Sequence, residues 1–325
     1  MDEGQPHTDS WYAASANRDL SFPRLEGDRE VDVCIIGGGY TGLSSAIHLR
    51  RRGYSVILLE ANKVGWGASG RNGGHVGTGQ RVDQPELEKL VGDERARALW
   101  DLGLEAVDTV CGLIDEFAID CELKTGNLHV ASSAQAGEDL AGEAEHLAAR
   151  YGYDQLRYVP PAELPEWTSA QGMHGGLMDY GARHLHPLNY ALGLAAAARD
   201  LGAELFEDSR VLDYREDTAV RVRTARGTVK ARYLVLGCNG YLDKLEKRCA
   251  GRIMPINNYM LATEPLPEAT ARRLIRDDAS MSDTRFVINY WKLSADNRLL
   301  FGGGETYTRT FPSDIKAFVR PYMLR

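Results

Sequence analysis

The sequence predicts an α/β chain, α+β overall, built on a Rossmann-like nucleotide fold. Three observations carry this prediction. An apolar strand, Val31 to Ile36, runs into Gly37-Gly38-Gly39-Tyr40-Thr41-Gly42, a G-x-G-x-x-G signature followed by a helical pattern. A second strand, Tyr54 to Leu59, ends in an acid, Glu60, 21 residues after Gly39. At 325 residues the chain is long enough for two domains, and its later segments alternate between helix and strand patterns.

The first glycine cluster has the parts that a dinucleotide requires. Gly37 permits the tight turn, Gly39 lets backbone approach a pyrophosphate, and Gly42 lets the helix pack close to the strand. Tyr40 and Thr41 open that helix, whose N-terminus offers free amides and the positive end of its dipole. Glu60, with Ala61 after it, is placed to accept hydrogen bonds from ribose hydroxyls, and its charge disfavours the extra phosphate of NADP. FAD and NAD both satisfy this first motif.

The next segment separates them. Gly65-Trp66-Gly67-Ala68-Ser69-Gly70-Arg71-Asn72-Gly73-Gly74-His75-Val76-Gly77 is a second glycine-rich loop, where an NAD domain usually continues into a crossover helix. Ser69, Arg71 and Asn72 supply donors for phosphate or ring carbonyls.

Farther along, residues 93–117 carry apolar side chains at three- and four-residue spacing and predict an amphipathic helix. Strands are expected over 127–132 and 176–181, with a helix over 135–150. A helix over 188–201 ends at Gly202, and a strand follows over 204–208. Residues 211–214, 219–224 and 228–230 predict a small antiparallel meander, and 233–238 a buried strand. The β-branched and aromatic runs 253–262 and 284–293 predict two more strands.

Composition points to a globular enzyme. The apolar fraction is 43% and the net charge is −8, so a nucleic-acid surface is not expected. No apolar run reaches membrane-spanning length, and the acidic start Met1-Asp2-Glu3 lacks a signal-peptide core; a cytoplasmic protein is expected. Cys34, Cys111, Cys121, Cys238 and Cys249 form no C-x-x-C pair, so no metal site or disulfide is expected, and Cys34 and Cys238 read as buried strand residues.

At these residues the chain resembles the FAD-dependent oxidoreductases of the D-amino-acid oxidase and glycine/sarcosine oxidase family, and within it the gamma-glutamylputrescine oxidase-like subgroup. The leader Ser10 to Asn17, the loop Gly67 to Gly74, the strand Tyr259 to Leu266 and the hairpin Tyr290 to Gly303 carry the likeness, which spans nearly the whole chain. The resemblance implies a Rossmann-like FAD-binding domain (1–81 and 184–251) and a discontinuous antiparallel-sheet substrate domain (82–183 and 252–325). It adds Gly73, Gly74, His75, Val211 near adenine, and Cys238, Asn239 and Gly240 near the pyrophosphate to the cofactor residues. His75 is expected to line the site without a covalent bond to flavin.

The activity it implies is oxidation of an amine C–N bond, in gamma-glutamylputrescine or a related amine. Hydride passes to flavin, the imine hydrolyses to an aldehyde, and dioxygen becomes hydrogen peroxide. Tyr259, Tyr290 and Trp291 are the candidates for an apolar amine pocket, with ordinary sheet packing as the alternative for each. No catalytic acid or base is named. A sarcosine or D-amino-acid oxidase would instead need a pocket arginine, and Arg183, Arg252 and Arg285 are not separable by sequence. Family members continue past the equivalent of Arg325, so a truncated chain is expected, with an inactive flavin-binding remnant as a third reading.

Overall fold

The computed structural model describes residues 4–308 and 310–324. The acidic tripeptide Met1 to Glu3, Arg309 and Arg325 lie outside the described residues. The chain divides into two compact units. One comprises Met1–Arg71, Leu113–Cys121 and Pro187–Pro255; the other comprises Asn72–Gly112, Glu122–His186 and Ile256–Arg325. Residues 72–81 belong to the second unit because His75–Val76 pairs antiparallel with Gly176–His184. Residues 113–121 belong to the first, where Ile119 fills the space left by the missing side chain of Gly193.

The first unit is built on a six-stranded sheet in the order Glu204–Phe206, Val56–Leu59, Arg29–Ile36, Thr228–Leu236, Val220–Arg223, Asp213–Glu216. The first four strands are parallel and the last two antiparallel. The central strands are apolar on both faces, as a covered parallel sheet requires: Cys34, Ile57 and Leu58 are fully buried. The helix Pro187–Asp200 has buried residues around its whole circumference, which explains its alanine-rich composition.

The second unit is built on an eight-stranded sheet. Its path runs Asn257–Ala262, Leu299–Thr306, Tyr290–Leu293, Ser280–Asp283, Lys124–Val130, Gly176–His184, His75–Val76, and Leu156–Val159 also pairs with Gly176–His184. This sheet is mixed, not purely antiparallel, because Ser280–Asp283 pairs parallel with Lys124–Val130. One face carries an apolar core of Leu128, Val130, Met178, Met281, Trp291 and Phe301.

Several expected elements change. Residues 228–230 and 233–238 form a single strand, Thr228–Leu236, whose second half is not buried. The antiparallel partner Val220–Arg223 reaches only Ala231, so Arg232 turns outward to Asp32 and Tyr233 is left exposed. Cys238 is half-buried outside the strand, and its Sγ meets the Ile36 carbonyl oxygen at 3.4 Å. The strand expected over 253–262 begins only at Asn257. The strand expected over 284–293 covers only Tyr290–Leu293, because Asp283 accepts the Asn289 amide at 3.0 Å and closes the intervening residues into a loop. The helix Gln84–Val91 and the strand Leu156–Val159 are additional.

Candidate dinucleotide site and a buried polar cluster

In the first unit, strand Arg29–Ile36 delivers the chain to Gly37, which has a φ of +109°. A Cβ on Gly37 would lie 2.6 Å from the Gly237 carbonyl oxygen, and one on Gly42 would lie 1.9 Å from that of Gly37. Both clashes are with backbone, so the turn admits no side chain at either point. Helix Tyr40–Arg51 follows, with Gly39 as N-cap and no side-chain cap on it. Its first turn therefore presents backbone amides, the donors that a pyrophosphate calls for.

The second glycine loop closes on this turn. Ser69 Oγ accepts the Tyr40 amide at 3.1 Å, and Ala68–Gly70 forms a single 3-10 turn. Glu60 binds inward with both oxygens: Oε2 accepts the Gly38 amide at 2.7 Å and Oε1 the Asn62 amide at 2.9 Å. Burial pushes its pKa up against the pull of these amides. A carboxylate has about four lone-pair sites, so two bonds leave acceptor capacity for ribose hydroxyls.

Arg71 has several partners within the unit. Its guanidinium lies 4.6 Å over the Trp66 ring and donates to Gly67 O, Thr8 Oγ1 and Tyr241 OH, so it ties the loop to its own unit. Asn239 and Gly240 form a 3-10 turn after Gly237, with Asn239 at a φ of +49°. Val211 packs against the core of this unit, ahead of strand Asp213–Glu216. Thr41 and Ala61 complete the candidates held by the first unit.

Asn72, Gly73, Gly74 and His75 belong to the second unit. Asn72 Oδ1 accepts the Gly74 amide at 2.7 Å and fixes the bend. His75 donates from Nε2 to the Met281 carbonyl oxygen at 3.1 Å and meets the Tyr290 ring edge-on. Tyr290 in turn donates to Asn258 Oδ1 at 2.6 Å. Strand alternation sends Trp291 to the opposite face, where it stacks on Phe301 in the core. Tyr259 is buried in that same core against Phe318, with its hydroxyl on Thr306 Oγ1. Of the three pocket candidates, Tyr259 and Trp291 therefore serve packing, and only Tyr290 lies beside the His75 loop.

Sequence reading missed Lys292. It is 2% exposed and donates from Nζ to the Leu185 carbonyl oxygen. Around it are His75, His184 and His186, with pKa values lowered to about 4, about 3 and about 4; burial is the first cause in each, and Lys292 adds to it. The available signal was one lysine inside the apolar run Tyr290-Trp291-Lys292-Leu293.

No helix among the described residues is long and apolar enough to cross a membrane. The family described as DAO, FAD dependent oxidoreductase, matches residues 32–325. Gamma-glutamylputrescine oxidoreductase of Escherichia coli (strain K12) is 39% identical over 320 residues, covering 98% of this chain and 75% of the relative. A glycine oxidase of Bacillus licheniformis is 27% identical, over 72% of this chain and 61% of its own length. The crystal structure of glycine oxidase from Geobacillus kaustophilus matches with a TM-score of 0.68 at 21% identity, over 90% of this chain and 77% of that chain, which is a likeness of fold. These alignments cover this chain almost throughout, and the chain spans about three quarters of the Escherichia coli relative's length. Because the family match takes in both compact units, the chain belongs to the DAO family of FAD-dependent oxidoreductases.

Proposed function

We propose that this protein oxidises the C–N bond of an amine, gamma-glutamylputrescine or a close relative, to an imine that water converts to an aldehyde. The observation that carries the reading is the 39% identity to a gamma-glutamylputrescine oxidoreductase over 98% of the chain. When bound, FAD supplies the acceptor for the amine's α-hydrogen and its electron pair, and returns electrons to dioxygen.

The residues of the first unit suit the cofactor's polar half. Gly37 and Gly42 let the strand-to-helix turn close tightly, and the amides at the start of Tyr40–Arg51 suit the charge of a pyrophosphate. Glu60 takes ribose hydroxyls, and Ser69 holds the helix start in place. Asn72, Gly73, Gly74 and His75 are cofactor residues on the family resemblance.

An amino-acid substrate would call for an arginine available to its carboxylate. The three candidate arginines are otherwise engaged: Arg183 with the carbonyls of Tyr180, Gly181 and Ala182, Arg285 with Asp283, and the exposed Arg252 with Arg248 O.

The test is the visible spectrum of the purified protein before and after anaerobic addition of gamma-glutamylputrescine, followed by admission of air. Bleaching of the flavin bands, then recovery with hydrogen peroxide formed, is expected. A flavin that persists with this amine and bleaches with sarcosine would replace the substrate. Recovery without peroxide would make the protein a dehydrogenase that uses another acceptor.

A further inference from the structure

Residues 4–17 precede the first strand and lie in the same unit as the glycine turn, Glu60 and the loop 65–71. This leader is anchored at its far end. Tyr12, on the short helix Trp11–Ala14, is 5% exposed, and the Asn17 amide donates to Asn189 Oδ1 at 3.0 Å. Ahead of that anchor the chain reads Gly4-Gln5-Pro6-His7-Thr8-Asp9-Ser10, with no large apolar side chain to bury.

Three hydrogen bonds lay this segment across the residues that follow Glu60. The Gln5 amide donates to Asn62 Oδ1 at 3.0 Å, Trp66 Nε1 donates to the Pro6 carbonyl oxygen at 3.0 Å, and Arg71 Nη1 donates to Thr8 Oγ1 at 2.9 Å. Gly4 extends the contact. A Cβ on it would lie 2.9 Å from the Ala61 carbonyl oxygen and 2.0 Å from Asp208 Oδ1. With Ala61, Ser209 and Leu212 it lines a pocket of about 40 Å³. The segment therefore borders the residue after Glu60 on one side and a neighbour of Val211 on the other.

Arg71 makes the leader part of a larger tie. The same guanidinium lies over Trp66 and donates to Tyr241 OH at 3.0 Å, and Tyr241 meets Trp66 edge-on. One cation thus joins the leader, the second glycine loop and the turn Asn239–Tyr241. Gln5, Pro6 and Thr8 remain exposed. A segment held by solvent-exposed hydrogen bonds, with little apolar burial, opens at less cost than the core.

We propose that residues 4–8 are a strap that closes over the adenosine end of bound FAD and slows its release, with Thr8 as a positioning residue acting through Arg71. The proposal rests on Glu60 and Ala61 marking the ribose end of the FAD site. The strap hinges ahead of Tyr12, and its closure fixes Trp66 and Arg71 in the loop that follows Glu60.

The experiment compares the FAD-loaded protein with Thr8→Val, which removes the acceptor, and Thr8→Ser, which keeps it. Release is followed on dilution by the rise in flavin fluorescence. It should be about 3-fold faster or more in Thr8→Val and unchanged in Thr8→Ser. Hydrogen exchange of the peptide spanning residues 4–12 should slow when FAD binds, and less so in Thr8→Val. Circular dichroism reports the folding of each variant. Unchanged release in folded Thr8→Val, equally fast release in Thr8→Ser, or exchange over 4–12 that is indifferent to FAD would overturn the proposal. Glu60→Gln separates the strap from the site beneath it. Affinity that falls in Glu60→Gln, with release unchanged in Thr8→Val, would leave the dinucleotide site standing and remove the strap. Affinity unchanged in Glu60→Gln would take the ribose away from Glu60 and the strap's placement with it.

Discussion

The Glu60 carboxylate accepts the Gly38 amide at 2.7 Å, so the acid ending one strand is fastened to the glycine turn ending its neighbour. The residue expected to hold a ribose therefore also shapes the turn that receives the phosphates. Glu60→Gln keeps the size and one acceptor oxygen but removes the charge. FAD affinity should fall about 10-fold or more, the range of charge-assisted hydrogen bonds. Fluorescence titration of the apoprotein with FAD measures it. Unchanged affinity would mean that Glu60 only braces the turn.

Gly42→Ala places a methyl group 1.9 Å from the Gly37 carbonyl oxygen, a contact that backbone must move to relieve. A loss of about 3 kcal/mol or more is expected, with poor flavin retention. Gly112→Ala is the matched control, since nothing lies within 4 Å of its added Cβ in the helix Asp93–Glu116. That change should stabilise by about 0.5–1 kcal/mol. Denaturant melts of the two variants should move in opposite directions.

Acid should weaken the second unit through its buried imidazoles. His75, His184 and His186 have folded pKa values of about 4, about 3 and about 4, against an ordinary value near 6.5. Between those values the unfolded chain binds more protons, so stability is intact above pH 6.5 and falls as the pH drops toward 4. Each imidazole contributes about 1.4 kcal/mol per pH unit inside that window. Melting temperatures at about pH 7.5 and about pH 5 should differ, and His184→Gln should narrow the gap.

Lys292→Met removes the positive charge that the three imidazoles share and leaves the Leu185 carbonyl without its ammonium donor. A loss of about 1–3 kcal/mol is expected from the stranded acceptor. The imidazole pKa values should rise, as followed by NMR titration. Values that stay fixed would assign their depression to burial alone.

The first glycine motif was legible because its physics is local. Gly37, Gly39 and Gly42 act within one turn, and Glu60 follows one helix and one strand later. The tie that Arg71 makes within its unit was not legible because its partners Thr8 and Tyr241 lie 63 and 170 residues away. Tyr259, Tyr290 and Trp291 looked alike because aromatic content does not say which face of a strand is the core. The break at 284–289 depended on the side chain of Asp283 capturing Asn289, which a β-rich composition conceals.

By itself, the sequence determined the nucleotide turn, the acid beside it and the main helices, all of which follow from short-range periodicity and backbone sterics, while the family came from the resemblance of whole motifs. Tertiary structure decided the parallel pairing of Ser280–Asp283 with Lys124–Val130, the burial of Lys292 among three histidines, and the meeting of Asp83, Glu143 and Asp179 around one cavity. Those arrangements join segments from about 36 to about 217 residues apart, where local propensity is silent and only packing and pairing against distant partners fix which side chains meet.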